Sequence, residues 1–341
     1  MKRVIYGAGK YGNLFLRFCR DLGIEIDFFA QTNESAVEHI DGVSVKTFSE
    51  LLMIQEELKI LVCIKNSKAT CEIKTMINQV KRPDIKVYDM ASFIETNLFK
   101  RAYQPTADGN KYCIICNNNL DTFEPAGIEQ ELFRNKHIIG GGLRDNCICP
   151  LCGCNDRERW LYYVLKNKTN LDAMNGRVLH FAPERSISEM IQANGSIDYY
   201  TGDINPGRGM HVTDITCIQY KEEIFDYVIC NHVMEHIKDE NKAVSEVMRV
   251  LKHDGKWIFS IPICTDIDKT YEDNTIISPV DRLREYGQED HVRLYGKDFK
   301  ERFEKYGLKI KVFSPEDELT EEEINRYGFI KDDIIMIASK Q

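Results

Sequence analysis

The sequence predicts an α/β protein with two doubly wound parts and a small metal-bound segment between them. Three observations carry this. A Gly7-Ala8-Gly9-Lys10-Tyr11-Gly12 turn follows the strand-like run Lys2–Tyr6 and opens an amphipathic stretch from Asn13 to about Leu22. Two Cys-x-x-Cys knuckles, Cys113/Cys116 and Cys149/Cys152, stand 32 residues apart. From Val178 to Ile263, strand-like and helix-like runs alternate, and several strands end in polar residues.

Residues 1–100 read as the first doubly wound unit. Strands are expected at Lys2–Tyr6, Ile24–Ala30, Ile60–Ile64 and Ile85–Tyr88, with helices at Phe48–Leu58 and Lys68–Val80. In the glycine turn, Gly7 suits a tight reversal, Gly9 a close ligand, and Gly12 close packing of helix on strand. A dinucleotide site also wants an acid at the tip of the second strand, where this chain has Gln31-Thr32-Asn33 and then Glu34. The nicotinamide-cofactor signal is thus incomplete. The glycines serve either packing alone or a phosphate or nucleotide-sugar group at the helix N-terminus. With its Gly-Ala-Gly-x-x-Gly turn the unit resembles the N-terminal Rossmann-like domains of sugar-modifying enzymes in bacterial surface-glycan pathways.

Residues 101–155 read as linker and metal segment. The stretch around Pro105-Thr106-Ala107-Asp108-Gly109 lacks periodicity and carries turn formers. Cys113, Cys116, Cys149 and Cys152 then supply four thiolates, a closed tetrahedral shell for structural Zn2+ with no open position for catalysis. Cys147 and Cys154 are alternatives for one of the four. A segment this short lacks a core of its own, so metal binding and folding are coupled. Knuckle, turn and the Asn155-Asp156-Arg157-Glu158-Arg159-Trp160 stretch resemble the zinc ribbon that precedes some methyltransferase domains. Arg157 and Arg159 meet an anionic substrate group or form the polar face of a helix over Arg157–Lys166; the second is the simpler reading.

Residues 156–341 read as the second unit. Strands end at Phe181-Ala182-Pro183-Glu184, at Gly202-Asp203, just before Asp214-Ile215, and at Asn231-His232; a fifth spans Trp257–Ile261. The helix Asn241–Leu251 has a buried stripe of Ala243, Val244, Val247, Val250 and Leu251. This order, with the His232-x-x-Glu235-His236 cluster, resembles the class I S-adenosylmethionine-dependent methyltransferases, most closely their type 11 branch. The resemblance implies a seven-stranded sheet completed by strands Leu308–Phe313 and Asp333–Ser339. It implies S-adenosylmethionine at the strand ends, held by Phe181, Ala182, Pro183, Glu184, Asp203, Asp214, Ile215 and Asn231. Asp203 would take the ribose hydroxyls, Asp214 the adenine amino group and Glu184 the cofactor's amino group. The first turn departs from the family by having no glycine. His232 would stand near the substrate, and His236 is read as structural.

The long polar stretch from Thr270 to Tyr295 is read as functional, because loops of this length seldom lack a role. In it His291 is the expected general base for an acceptor hydroxyl, oriented by a carboxylate. Asp290 is adjacent, and Glu272 or Asp273 are alternatives for that carboxylate.

Net charge is −9 over 341 residues, which argues against a nucleic-acid partner. No apolar run reaches the roughly 20 residues that span a bilayer. The chain opens on a strand without a signal-peptide pattern, so a cytoplasmic protein is expected. A methyltransferase acting on a small-molecule acceptor, a sugar or nucleotide-linked metabolite, is the leading expectation; a homo-oligomer is left open. The rivals are a zinc-ribbon RNA methyltransferase, a scaffold that has lost cofactor binding, and a nicotinamide-dependent enzyme using the first unit.

Overall fold

The computed structural model of the protein describes residues 1–21, 24–32, 38–63, 73–77, 79–80, 82–89, 105–106, 108–169, 171–173 and 175–340. The chain divides into two compact units: residues 1–104 with 150–153, and 105–149 with 154–341.

The first unit holds a six-stranded sheet in the order His39–Ile40, Val43–Thr47, Phe28–Gln31, Lys2–Tyr6, Leu58–Val62, Ile85–Asp89. All pairs are parallel except the His39–Ile40 edge. Alternation along Lys2–Tyr6 sends Ile5 to one core with Phe15, Leu16 and Phe29. Val4 and Tyr6 go to another with Leu51 and Ile60. The glycine turn follows steric need. Gly7 sits at φ +116°. A Cβ on Gly12 would lie 2.0 Å from the Gly7 carbonyl oxygen. Space around Gly9 is open to 4 Å. The strand Val43–Thr47 was not expected from the sequence. Helix Phe48–Leu52 is shorter than expected, and Thr47 closes its start with a capping box to Glu50. Glu34 and the first part of the Lys68–Val80 helix lie outside the described residues.

The second unit holds a seven-stranded sheet: His211–Val212, Ile197–Asp203, Gly176–Phe181, Phe225–Asn231, Leu251–Ser260, Ile335–Lys340, Leu308–Phe313. The first five are parallel, and Ile335–Lys340 runs antiparallel to both neighbours. It is a mixed α/β domain. Strand order reverses at Gly176–Phe181, whose neighbours are Ile197–Asp203 and Phe225–Asn231. Leu179, Phe181, Val228, Cys230, Trp257 and Phe259 pack into the core on one face, with the helix Glu240–Val250. Val178, Ile229 and Ile258 pack into the other, with Trp160 and Leu161 of the helix Asp156–Lys168. The expected acidic helix Glu316–Asn325 is two helices, Pro315–Glu318 and Glu321–Tyr327, the second opened by a Thr320 capping box.

The cysteine segment is built from short antiparallel pairs. Lys111–Cys113 pairs with Asn118–Leu120, and Glu124–Gly127 with Leu143–Ile148. Ile138–Ile139 pairs with Ile263–Cys264, just beyond the fifth parallel strand. Lys111 Nζ donates to the Asn325 backbone and side chain at 2.9 and 2.6 Å. Among the described residues no helix is long and apolar enough to cross a membrane.

Candidate active site and metal centre

At the carboxyl ends of the central strands, a cavity of about 210 Å³ is lined by Asn155, Arg157, Glu158, Leu161, Ala182, Glu184, Asn231, His232, Ser260 and Ile335. In an open α/β sheet such a crevice at the order reversal is where ligands bind. The turn that lacks glycine still takes the backbone shape of one: Ala182 sits at φ +47°, and its N–H donates to Gly202 O at 2.9 Å. Glu184 lies at the start of the helix Arg185–Ala193 but does not cap it with its side chain. Its carboxylate instead lies 2.7 Å from His180 Nε2 and accepts from Asn231 Nδ2 at 3.2 Å. Burial pushes the Glu184 carboxyl up, but His180 and Asn231 outweigh it and hold its pKa below the usual value. Glu158 differs: burial, reinforced by Glu184, lifts it to about 7 although Ser186 Oγ donates to it.

The remaining cofactor candidates lie outside this lining. Phe181 is core, and Pro183 is half-buried. Asp203 is buried at the end of the adjacent strand, and its Oδ1 accepts from Asn205 N at 2.7 Å and Nδ2 at 3.1 Å. Asp214 is exposed and turns the chain by accepting from Thr216 N and Oγ1, both at 2.8 Å. Ile215 beside it is buried.

A second cavity, about 370 Å³, shares Arg157 and His232 with the first. Its lining includes Gly140–Gly142, Arg144, Glu235, His236, Tyr286 and His291. His232 holds φ +50°, and its Nδ1 meets Glu235 Oε1 at 3.2 Å. Burial and the Arg157 charge lower the His232 pKa. The Glu235 carboxyl is pushed up by burial, but His232, His291 and His236 bring it below the usual range. His291 is 4% exposed. Its Nδ1–H donates to the Tyr286 carbonyl at 3.2 Å, and its Nε2 has no hydrogen-bond partner. Burial lowers its pKa although Glu235 opposes the shift. The ring is therefore neutral near pH 7, with its lone pair on Nε2.

Two expectations need correction here. Asp290 is not the partner of His291: it is 71% exposed and lies 3.3 Å from His236 Nδ1. The backbone carbonyl of Tyr286, 3.2 Å from Nδ1, orients His291 instead. Glu272 and Asp273 do not orient it either. Glu272 binds Arg293 and Arg302, and Asp273 caps Thr275. The two arginines also part company. Arg157 lines both cavities, and its guanidinium bonds to Gly140 O. Arg159 is fully buried and donates to the carbonyls of Asn146, Cys147, Cys154, Tyr327 and Gly328. Neither forms a solvated helix face. Spacing along the chain does not reveal this, because the two alternate with Asp156 and Glu158 in a run that reads as a charged helix face. A larger concavity, about 770 Å³, runs along Ile128–Asn146 to Gly328–Asp332, but the converging unpartnered groups line the smaller two.

Cys113, Cys149, Cys152 and Cys154 bring their sulfurs within 4.8 Å of one another. The turn is closed by Cys149 N–H donating to Cys154 O at 2.8 Å. Cys113 and Cys154 sulfurs lie 3.5 Å apart, and Cys116 Sγ lies 3.9 Å from Cys149 Sγ. Four thiolates at 2.3 Å from Zn2+ have edges of about 3.8 Å, so the donor set fits zinc. Cys154, one of the two alternatives, thus stands in the mutual set where Cys116 was expected. Cys147 is held apart by Asp156 and Arg144.

Residues 180–259 match the family described as a methyltransferase domain. No curated protein matches the sequence. Among solved structures, a SAM-dependent methyltransferase from Archaeoglobus fulgidus is 16% identical over 55% of this chain and 95% of its own, at a TM-score of 0.35. An O-methyltransferase from a trans-AT polyketide multienzyme of Brevibacillus brevis, solved with S-adenosyl-L-homocysteine, is 13% identical over 54% and 73%, at 0.38. The YcgJ protein of Bacillus subtilis is 15% identical over 49% and 93%, at 0.33. Overlaps this shallow carry no inference about acceptor or cofactor.

Proposed function

We propose that the chain is an S-adenosylmethionine-dependent methyltransferase acting on an oxygen of a small anionic acceptor. One observation carries this: Ala182, Glu184, Asn231 and His232, which line the strand-end cavity, belong to the stretch that matches a methyltransferase domain. Its chemistry suits the cofactor, since Glu184 and Glu158 offer carboxylates to a cationic amino-acid end. Asp203, with Asp214 and Ile215, would hold the adenosine end. When bound, the cofactor supplies a sulfonium methyl open to in-line displacement. Asn231, held between Glu184 and Ser260, and His232 border the passage to the second cavity.

There the acceptor would bind. Arg157 offers it a guanidinium, and His291 offers Nε2 to take its proton. A hydroxylated anion fits both; a sugar or nucleotide-linked sugar of surface-glycan assembly is the instance the first unit's resemblance suggests. The cysteine cluster would hold structural Zn2+.

Calorimetric titration with S-adenosylhomocysteine tests the reading. We expect one site per chain at micromolar affinity, weakened at least tenfold by Asp203→Ala, which removes about 1.4 kcal/mol or more. His291→Ala should keep that affinity and lower turnover roughly 100-fold. No binding to the folded wild-type protein would leave a scaffold without a cofactor.

A further inference from the structure

The second cavity contains more than a base. Glu235, His236 and His291 bring one ligand atom each within 4.8 Å of one another. Two of the three are almost completely buried, Glu235 at 1% and His291 at 4% exposure. Glu235 Oε2 and His291 Nε2 both lack a hydrogen-bond partner. Buried polar atoms are nearly always satisfied, so two orphans converging on one spot call for a missing partner.

Each of the three side chains is also held from behind. The His291 Nδ1–H is fixed by the Tyr286 carbonyl at 3.2 Å. His236 Nδ1 is engaged by Asp290 at 3.3 Å. Glu235 Oε1 is engaged by His232 at 3.2 Å. This leaves His291 Nε2, His236 Nε2 and Glu235 Oε2 as the open donors. A backbone carbonyl or carboxylate behind each imidazole is how proteins orient histidines for a metal ion. The ring centroids of His236 and His291 lie 4.7 Å apart and nearly perpendicular, so they are not stacked against each other.

The geometry points to a second metal site, in which Glu235, His236 and His291 bind a divalent transition-metal cation such as Zn2+, Co2+ or Fe2+. Two imidazoles and a carboxylate suit such an ion and leave a position open. That position faces a cavity of about 370 Å³, where an acceptor hydroxyl would serve as the fourth ligand and give its proton to solvent water more readily. The inference rests on the methyltransferase reading only for the identity of that fourth ligand. It changes the part played by His291, which holds the ion where the metal-free site would have it take a proton. Ligands at about 2.1 Å from a tetrahedral ion are about 3.4 Å apart, so side-chain rotations of about an ångström close the set. The Arg157 guanidinium lines the same cavity and opposes a cation, so the affinity should be micromolar and not tighter.

The test uses the full-length protein after its cysteine cluster has been filled with Zn2+. Co2+ is then added, with calorimetry and visible absorption as readouts. We expect one Co2+ per chain, with d–d bands and no thiolate charge-transfer band. His236→Ala and His291→Ala should each weaken it at least 100-fold, with Glu235→Gln as a variant that preserves shape. S-adenosylhomocysteine binding by each variant reports that it is folded. No Co2+ bound by the wild type beyond the cysteine cluster, or unchanged binding in both histidine variants, would overturn the site and leave water as the missing partner. Co2+ binding without any S-adenosylhomocysteine binding would retain the metal site and sink the methyltransferase reading.

Discussion

Ala182 shows what a single backbone conformation costs. It holds φ +47°, where a side chain is strained and glycine is not. Ala182→Gly should raise the unfolding free energy by about 0.5–1 kcal/mol in urea denaturation, the relief of strain exceeding the added chain entropy. A loss of stability would mean that the methyl group itself packs. Glu158 makes a prediction about pH. In the fold its carboxyl is pushed up from the usual 4.5 to about 7, mainly through burial. A raised carboxyl pKa favours the folded state fully below 4.5, and the advantage is lost as pH rises to about 7. The loss is up to about 3 kcal/mol. Glu158→Gln should therefore be near neutral in stability at pH 5 and stabilising relative to wild type at pH 8. Parallel denaturation curves at the two pH values check this, and a pH-independent difference would place the carboxyl in open solvent.

At the level of elements, Arg159 of the helix Asp156–Lys168 ties the cysteine segment to the end of the helix Glu321–Tyr327. Arg159 satisfies five carbonyls and lies over the Phe123 ring at 3.8 Å. Arg159→Ala strands those acceptors and should cost roughly 3–5 kcal/mol, read as a lowered urea midpoint with an unchanged slope. A cost below about 1 kcal/mol would assign the clasp to the metal alone. The strands of the second unit were legible because their apolar runs are bounded by polar ends and turn residues. The choice of Cys154 over Cys147 for the mutual sulfur set, Arg159 as a clasp and Asp290 as a partner of His236 were not. They depend on which way a side chain leaves a turn, and spacing in sequence does not determine that. The place of His291 among other ionisable groups was legible from their density in the sequence. Its carbonyl partner could not be, since every residue has a carbonyl.

For the molecule as a whole, the cysteine segment builds a wall of one cavity and not of the other. Residues Gly127 to Arg144 supply eight of the second cavity's lining positions, including Gly140–Gly142. The strand-end cavity is lined from residue 155 onward. In the proposed reading Zn2+ on the four-cysteine cluster holds this segment in place, because short hairpins bury too little apolar surface to fold alone. Removing zinc should therefore separate the two activities of the site. With a strong chelator, or with Cys113→Ser, we expect S-adenosylhomocysteine affinity to fall less than tenfold, under about 1.4 kcal/mol. Methyl transfer should fall at least 100-fold, because Arg157 loses the Gly140 carbonyl that positions it. Equal loss of both would show that the helix Asp156–Lys168 unfolds with the cluster, making zinc a support for the whole sheet and not for the acceptor wall alone.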